Sequence, residues 1–230
     1  MSSKITCFLP CRKGSQRVPR KNIKPFSSIK NGLIELKLSQ LIQSQLIDEI
    51  CLSSNDEEIL DYAASLNLKK IKLHYRCDSL SSSKTSTDQL IEHAVELIPR
   101  GDILWTHVTS PFITAKKYDE IITKYRRCIK SGYDSLMTTT QLFGFYWQDE
   151  KPINYDRERE KWPRTQTMKP IHEVNSGAFL NSAENYRKFS DRIGQSPYLY
   201  NLDKIQGFDV DWEEDFKIAE CLYNDQKEVF

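Results

Sequence analysis

The sequence predicts an α/β fold in which helices cover both faces of a mostly parallel sheet. Short apolar, β-type runs alternate with segments of helical periodicity about every 20 residues over the first part of the chain. Parallel strands need long crossovers, usually helices, so this alternation is typical of such a sheet. A chain of 230 residues is long enough for one substantial domain and short for two.

Five strands and four helices are predicted in alternation before residue 141. Asn55 and Asp56 offer an N-cap to the second helix, and Ser86 with Gln89 has the spacing of a capping box before the third. The predicted strands are 4–9, 49–53, 70–73, 103–107 and 135–140, and the helices are 33–45, one ending at 66, one ending at 97, and 115–130.

The alternation stops at residues 141–173, which are aromatic and charged without a clear period. A surface loop of this composition would expose a large apolar patch, so an arm that packs on a second subunit is favoured. We therefore predict a single domain, 1–230, with 141–173 as an inserted dimerisation arm. After the arm come a strand at 177–181, a helix from 183, a strand around 198–200 and a helix at 212–223.

The overall charge excludes several classes of function. The chain has 33 basic and 32 acidic residues and a formal net charge of +1, whereas nucleic-acid coat proteins and polybasic membrane binders need a broad excess of positive charge. The sequence shows no apolar run of about 18 residues, and its first apolar stretch is too short for a signal peptide. We expect a cytoplasmic protein that binds neither nucleic acid nor membranes.

Positive charge is concentrated after the first strand. Between Ile5 and Ile34 the sequence has no Asp or Glu, and ligands of parallel sheets bind beyond the carboxyl ends of the strands. Gly14 and Ser15 let the backbone turn and offer N–H donors, while the cations suit an oligophosphate. The alternative is a solvated loop with a chance basic run. The basic residues are Arg12, Lys13, Arg17, Arg20, Lys21, Lys24 and Lys30.

The usual phosphate-binding motifs do not occur. GxxxxGK[ST] and GxGxxG are both missing, which disfavours P-loop hydrolases and dinucleotide dehydrogenases. If the loop at 12–24, here called the basic loop, binds a nucleotide, it does so without either of these motifs.

Two aspartates near the carboxyl end predict a metal site. In an extended segment, Asp209 and Asp211 project from one face about 7 Å apart. Such carboxylates repel each other unless a cation lies between them, and hard oxygen ligands suit Mg²⁺ bound to a substrate phosphate. The alternative is that these acids only begin a helix. Together with the basic loop, they favour displacement of pyrophosphate from a nucleoside triphosphate by an oxygen nucleophile.

The two segments also resemble a known family. CRKGSQRVPRKNIKPF, at 11–26, resembles the ARxGSKGxPxKNxxPL motif of the cytidylyltransferases that make CMP-sialic acid and related CMP-nonulosonic acids. DVDWEEDF, at 209–216, resembles the family's DIDTxxDL metal motif. VTSPF, PRTQ and NSGAFL, at 108–112, 163–166 and 175–180, are weaker similarities in the same order.

This resemblance, which covers nearly the whole chain, implies a Rossmann-like fold and a homodimer with an exchanged arm. It implies Mg²⁺ as cofactor and attack by the anomeric hydroxyl of an acidic sugar on the α-phosphate of CTP. Arg12, Lys21 and Asp211 are the implied catalytic residues. The implied nucleotide-binding residues are Arg12, Gly14, Ser15, Arg17, Lys21, Asn22 and Arg76, the sugar-binding residues are His107, Thr109, Ser110, Arg164, Gln166 and Asn175, and the metal ligands are Asp209 and Asp211.

Sugar recognition departs from the family pattern, because the arm lysine that binds the sugar carboxylate has no clear equivalent here. A structural role for His107, and a rim contact at a dimer interface for Arg164 and Gln166, are open alternatives. So are two other functions, a nucleotidylyltransferase for a different acidic or phosphorylated sugar and a non-catalytic nucleotide-binding homologue acting as a regulatory or scaffold subunit.

Overall fold

Residues 3–82 and 84–228, which the computed structural model describes, form a central sheet flanked by helices. The strands are β1 (Ile5–Cys11), β2 (Glu49–Ser54), β3 (Ile71–Tyr75), β4 (Asp102–Trp105), β5 (Ser135–Leu142), β6 (Trp147–Gln148), β7 (Lys151–Pro152), β8 (Ile171–Ser182) and β9 (Pro197–Leu202). The α-helices are α1 (Gly32–Gln43), α2 (Glu57–Ser65), α3 (Thr87–Leu97), α4 (Ala115–Lys130), α5 (Ala183–Phe189) and α6 (Glu213–Glu228).

The central sheet has the strand order β3-β2-β1-β4-β8-β5-β9. Its pairs are parallel except for β4 with β8 and β5 with β8, so β8 runs against its neighbours. β5 and β8 are joined by residues 143–170, which contain no α-helix, and β8 returns antiparallel to β5. The predicted mostly parallel sheet is confirmed; the direction of β8 was not indicated by the sequence pattern.

Helices pack on both faces of the sheet, as predicted. Side chains alternate along β1, so Cys7 and Leu9 face one apolar core and Phe8 the other. The first core is shared with α1, α2, α4 and α6, and the second with α3 and α5. In the second core, the rings of Phe8 and Trp105 meet edge to face with centroids 4.8 Å apart.

Some helix ends agree with their local sequence signals. The Ser86 capping box at the start of α3 is present, and α4 has the predicted bounds. Asp56 precedes α2, but its side chain makes no capping hydrogen bond. No helix within residues 3–82 and 84–228 is both long and apolar enough to cross a bilayer.

The predicted arm, 141–173, is shorter in the structure because the sheet takes residues from both of its ends. β5 continues to Leu142 and β8 begins at Ile171, and these two residues pair in the ladder. Residues 143–170 lie between the two strands and contain the antiparallel hairpin of β6 and β7.

Aromatic residues of this arm pack on one another and stay largely open to solvent. The Phe145 ring lies 5.2 Å from the rings of Tyr155 and Trp162, and Arg157 lies over Trp147 and Trp162. Trp162 is 63% exposed. The arm thus carries an exposed aromatic surface, and its role in a dimer stays a prediction.

Candidate functional site

A cleft of about 570 Å³ opens at the carboxyl ends of β1 and β4, the edge at which parallel sheets bind ligands. Its walls come from the basic loop after β1, the turn after β4, the middle of β8 and the segment before α6. The lining residues are Pro10, Arg12, Ser15, Gln16, Arg17, Lys21, Asn22, His107, Val108, Thr109, Ser176, Asp209 and Asp211.

The basic loop is held in one conformation by its backbone and one apolar anchor. Val18 is fully buried, and its carbonyl accepts from the Lys21 amide at 3.1 Å. The Asn22 side-chain amide donates to the Arg12 carbonyl at 3.2 Å, while the Asn22 carbonyl accepts from the Ile34 amide at 2.9 Å. The loop is therefore tied to its own start and to the first turn of α1.

Two cations of the loop reach the acidic segment before α6. Lys21 is only 8% exposed, and its Nζ donates to the Val210 carbonyl at 2.7 Å and lies 3.4 Å from Asp211 Oδ1. Arg17 approaches the same carboxylate oxygen at 3.1 Å, and its guanidinium lies 5.1 Å from the centre of the Trp212 ring. The two segments that the sequence assigns to one site therefore meet in the structure.

The acidic segment is anchored through Val210, which is fully buried. Its N–H donates to the Thr109 carbonyl at 2.8 Å, and its C=O accepts from Lys21. These bonds fix the backbone between Asp209 and Asp211, so both carboxylates line the cleft.

Asp209 and Asp211 have different surroundings. Asp211 is paired with loop cations, whereas Asp209 Oδ1 is buried without a hydrogen-bond partner. Burial raises the pKa of Asp209 above its ordinary value and the charge of Asp211 adds to the rise, while the Thr109 side chain and Lys21 oppose it. A buried carboxylate oxygen without a partner, beside a second carboxylate, is suited to a cation.

The donor set fits Mg²⁺ better than a metal held by protein ligands alone. Within 3–82 and 84–228, no group of three or more His, Cys, Asp or Glu side chains is arranged to hold an ion. Mg²⁺ typically uses one or two carboxylates and takes its other ligands from substrate phosphates and water. The pair Asp209 and Asp211 satisfies that requirement.

His107 is a neutral imidazole at the cleft wall. The Trp105 indole N–H, which can only donate, donates to His107 Nε2 at 3.0 Å, so the ring proton lies on Nδ1. Burial lowers the pKa of His107 to about 3, and the charges of Arg192, Lys37 and Lys21 act in the same direction. His107 therefore combines a structural hydrogen bond with a place on the cleft surface.

The predicted nucleotide-binding residues are mostly on the cleft surface. Gly14 and Arg76 are the two outside the described lining. Arg76 is 2% exposed, its Nε donates to Ser81 Oγ at 3.1 Å, and its Nη1 has no partner. Burial lowers the pKa of Arg76, and the charge of Arg12 acts in the same direction.

The predicted sugar-binding residues are divided among several places. His107 and Thr109 line the cleft, whereas Ser110 is fully buried beneath it. Arg164 and Gln166 are exposed on the arm and lie outside the described lining of the clefts at this edge. Asn175 lines a second cleft.

This second cleft, also about 570 Å³, adjoins the first. Both clefts share Ser176, Asp209 and Asp211, and Lys204 is the one cation in the described lining of the second. Ser176 and Lys204 were not predicted as site residues, although Ser176 lies within the NSGAFL motif and Lys204 shortly before Asp209. The lining residues are Thr140, Leu142, Glu173, Val174, Asn175, Ser176, Lys204, Gly207, Phe208, Asp209, Asp211, Trp212 and Asp215.

The fixed, neutral state of His107 can be measured directly. We expect its ring ¹⁵N chemical shifts to report an Nδ1–H tautomer and to stay constant from about pH 8 to about pH 5, where an ordinary histidine with a pKa near 6.5 takes up a proton. His107→Gln identifies the signal, and a denatured sample is the titrating control. A midpoint near pH 6.5 in the folded protein contradicts this assignment.

Comparison with known proteins places this site in context. Residues 6–226 match the family model described as Cytidylyltransferase. The chain is 24% identical to the pseudaminic acid cytidylyltransferase of Campylobacter jejuni, with 96% of each chain covered. It is 22% identical to the N-acylneuraminate cytidylyltransferase of Escherichia coli, where the match covers 95% of this chain and 52% of that protein.

Solved structures support the fold. A CMP:2-keto-3-deoxy-manno-octonic acid synthetase complexed with CTP aligns with a TM-score of 0.69 at 14% identity, covering 97% of this chain and 100% of the other. A 4-diphosphocytidyl-2C-methyl-D-erythritol synthase from Anaerococcus prevotii aligns with a TM-score of 0.66 at 13% identity and 96% coverage of both. Since the family match extends over nearly the whole chain, this protein belongs to the cytidylyltransferase family and is a nucleotidyltransferase enzyme.

Proposed function

We propose that this protein transfers the CMP group of CTP to an acidic nonulosonic sugar and releases pyrophosphate. The observation that carries the proposal is the contact of the basic loop with the aspartate pair, through Lys21 and Asp211, in one cleft. Relatives named as pseudaminic acid and N-acylneuraminate cytidylyltransferases support this class of sugar.

The first cleft would hold the triphosphate. Arg12, Arg17 and Lys21 supply positive charge, and the turn at Gly14 and Ser15 supplies backbone N–H groups. A charge pair at about 4 Å is worth on the order of 4 kcal/mol at an effective dielectric near 20, before desolvation is subtracted. Loss of one cation is therefore expected to slow turnover severely.

Asp209 and Asp211 would hold Mg²⁺ between the two clefts. When bound, Mg²⁺ neutralises negative charge on the phosphate groups. The protein itself positions the two carboxylates, through the hydrogen bonds that Val210 makes with Thr109 and Lys21.

The reaction is a substitution at the α-phosphorus. The anomeric hydroxyl oxygen of the sugar forms a bond to this phosphorus, while the bond to the oxygen that bridges the α- and β-phosphates breaks. Pyrophosphate leaves with the electron pair, and the hydroxyl proton passes to solvent. Phosphoryl and nucleotidyl transfer depend mainly on position and charge stabilisation, which a rigid cationic loop provides.

The second cleft would hold the sugar. It meets the first at Ser176, Asp209 and Asp211, so a nucleophile in it faces the region of the α-phosphate. Most charged groups of this cleft are carboxylates, and Lys204 is the cation that its described lining offers to an acidic sugar. A homodimer and a cytoplasmic location, both expected from the sequence, stay predictions.

Release of pyrophosphate with CTP, Mg²⁺ and a panel of nonulosonic acids tests the function. We expect turnover with at least one sugar. Asp211→Ala should lose activity because a metal ligand is removed. Lys21→Ala should lose tenfold or more in kcat/KM for CTP.

Arg20→Ala is the matched control, since Arg20 belongs to the same loop but pairs with Glu58. It should retain nearly full activity. CTP binding without turnover for every sugar would instead favour a non-catalytic homologue. Normal activity in Asp211→Ala would show that Asp211 is not a metal ligand.

Lys204 tests the sugar side separately. Lys204→Ala should raise KM for the acidic sugar roughly 10- to 100-fold, the range of a charged hydrogen bond, with KM for CTP little changed. Lys217→Ala, an exposed lysine of α6, is the control. Equal effects of the two changes, or an effect confined to CTP, would show that Lys204 does not recognise the sugar carboxylate.

A further inference from the structure

A lysine with no place in the proposed reaction is buried under the cleft. Lys37 lies on α1 and is fully inaccessible to solvent, and among the described residues it makes no ion pair with a carboxylate. Burial lowers the pKa of Lys37 to about 7. Burying an amine in a protein core costs folding free energy unless the amine is hydrogen-bonded, so the partners of Lys37 show what this cost supports.

Lys37 makes two short hydrogen bonds. Its Nζ donates to the Ser110 carbonyl at 2.7 Å and to the Tyr118 hydroxyl at 2.7 Å. A neutral amine still has two N–H groups, so both bonds can be donated in either protonation state. The charges of Cys7 on β1 and Asp209 before α6 act on this amine, the Tyr118 hydroxyl of α4 contacts it, and its own charge acts on His107.

The first bond leads to the aspartate pair. Ser110 follows Thr109, whose carbonyl accepts from the Val210 amide at 2.8 Å. Val210 lies between Asp209 and Asp211. Lys37 therefore holds the turn on which the acidic segment rests.

The second bond leads to the opposite wall. The Gly177 carbonyl can only accept, so Thr106 Oγ1 donates to it at 2.6 Å and must accept from the Tyr118 hydroxyl at 2.8 Å. Tyr118 has then used its proton, and its oxygen accepts from Lys37. This directional chain ends beside Ser176, which lines both clefts.

We propose that Lys37 is a positioning residue of this site, because one buried amine holds both the turn at Thr109 and Ser110, on which the segment with Asp209 and Asp211 rests, and the β8 backbone next to Ser176. It touches no substrate and acts through Ser110 and Tyr118. The expected effect on kcat rests on the proposed function. The support that Lys37 gives to the aspartate pair can be tested separately, by binding.

Lys37→Met keeps the apolar length of the side chain and removes both donors. We expect kcat to fall about 10- to 100-fold, as a misplaced reacting group does, with KM for CTP changed less than about threefold. We also expect a higher Mg²⁺ concentration for half-maximal turnover, because the aspartate pair loses its support.

Lys70→Met is the matched control. Lys70 also makes two hydrogen bonds through Nζ, to the carbonyls of Ile42 at 3.0 Å and Ser44 at 2.7 Å, but at the C-terminal end of α1 and away from the cleft. Because Lys70 is only partly buried, the free energy of unfolding of both variants is measured beside kcat. Equal effects of the two changes on kcat and on the Mg²⁺ requirement would indicate a general loss of stability. Such equal effects, or wild-type kinetics in Lys37→Met, overturn the proposal.

Two further measurements cover the other outcomes. If Lys37→Met does not unfold cooperatively, Tyr118→Phe breaks only the branch to Gly177 and should give a smaller loss in kcat with the fold intact. Unchanged kinetics in Tyr118→Phe overturn the role.

If the wild-type protein shows no turnover with any sugar, the proposed function fails on its own. Calorimetric titrations of CTP at a series of Mg²⁺ concentrations then give the Mg²⁺ concentration needed for half-maximal binding in wild type, in Lys37→Gln, which keeps a donor, and in Lys37→Met. A higher requirement in Lys37→Met is expected, and equal requirements in all three overturn the positioning role.

Discussion

The ammonium group of Lys21 holds the two halves of the site together. It comes from the basic loop after β1, is nearly excluded from solvent, and donates to the Val210 carbonyl while lying 3.4 Å from Asp211 Oδ1. A buried charge needs a partner, and removal of one partner leaves the other uncompensated. The basic loop and the acidic segment therefore form one structural unit, although almost the whole chain separates them in sequence.

The same contacts give the two aspartates separate roles in the proposed site. Arg17 and Lys21 neutralise Asp211, whereas Asp209 keeps a buried oxygen without a partner. A site built in this way holds its cations in place before a triphosphate arrives, so little reorganisation remains for the reaction. The fully buried Lys37 supports this arrangement from below, at the cost of placing an amine in the core.

Features with a local cause could be predicted from the sequence. The alternation of strands and helices, the capping box at Ser86 and the chemistry of the two charged segments belong to this group. The direction of β8 could not be predicted, since it depends on how the arm returns to the sheet. Lys37 and Lys204 resemble ordinary surface lysines in sequence, because only tertiary contacts bury the first and bring the second to the cleft. Arg164 was expected at the site but is exposed on the arm.

A crystal structure of the protein with CTP and Mg²⁺ tests the central claim most directly. We expect the triphosphate in the first cleft, in contact with Arg12 and Lys21, with the α-phosphate facing Asp209 and Asp211. Density for the triphosphate at another surface, or in the first cleft with both aspartates turned away from the phosphates, would contradict it.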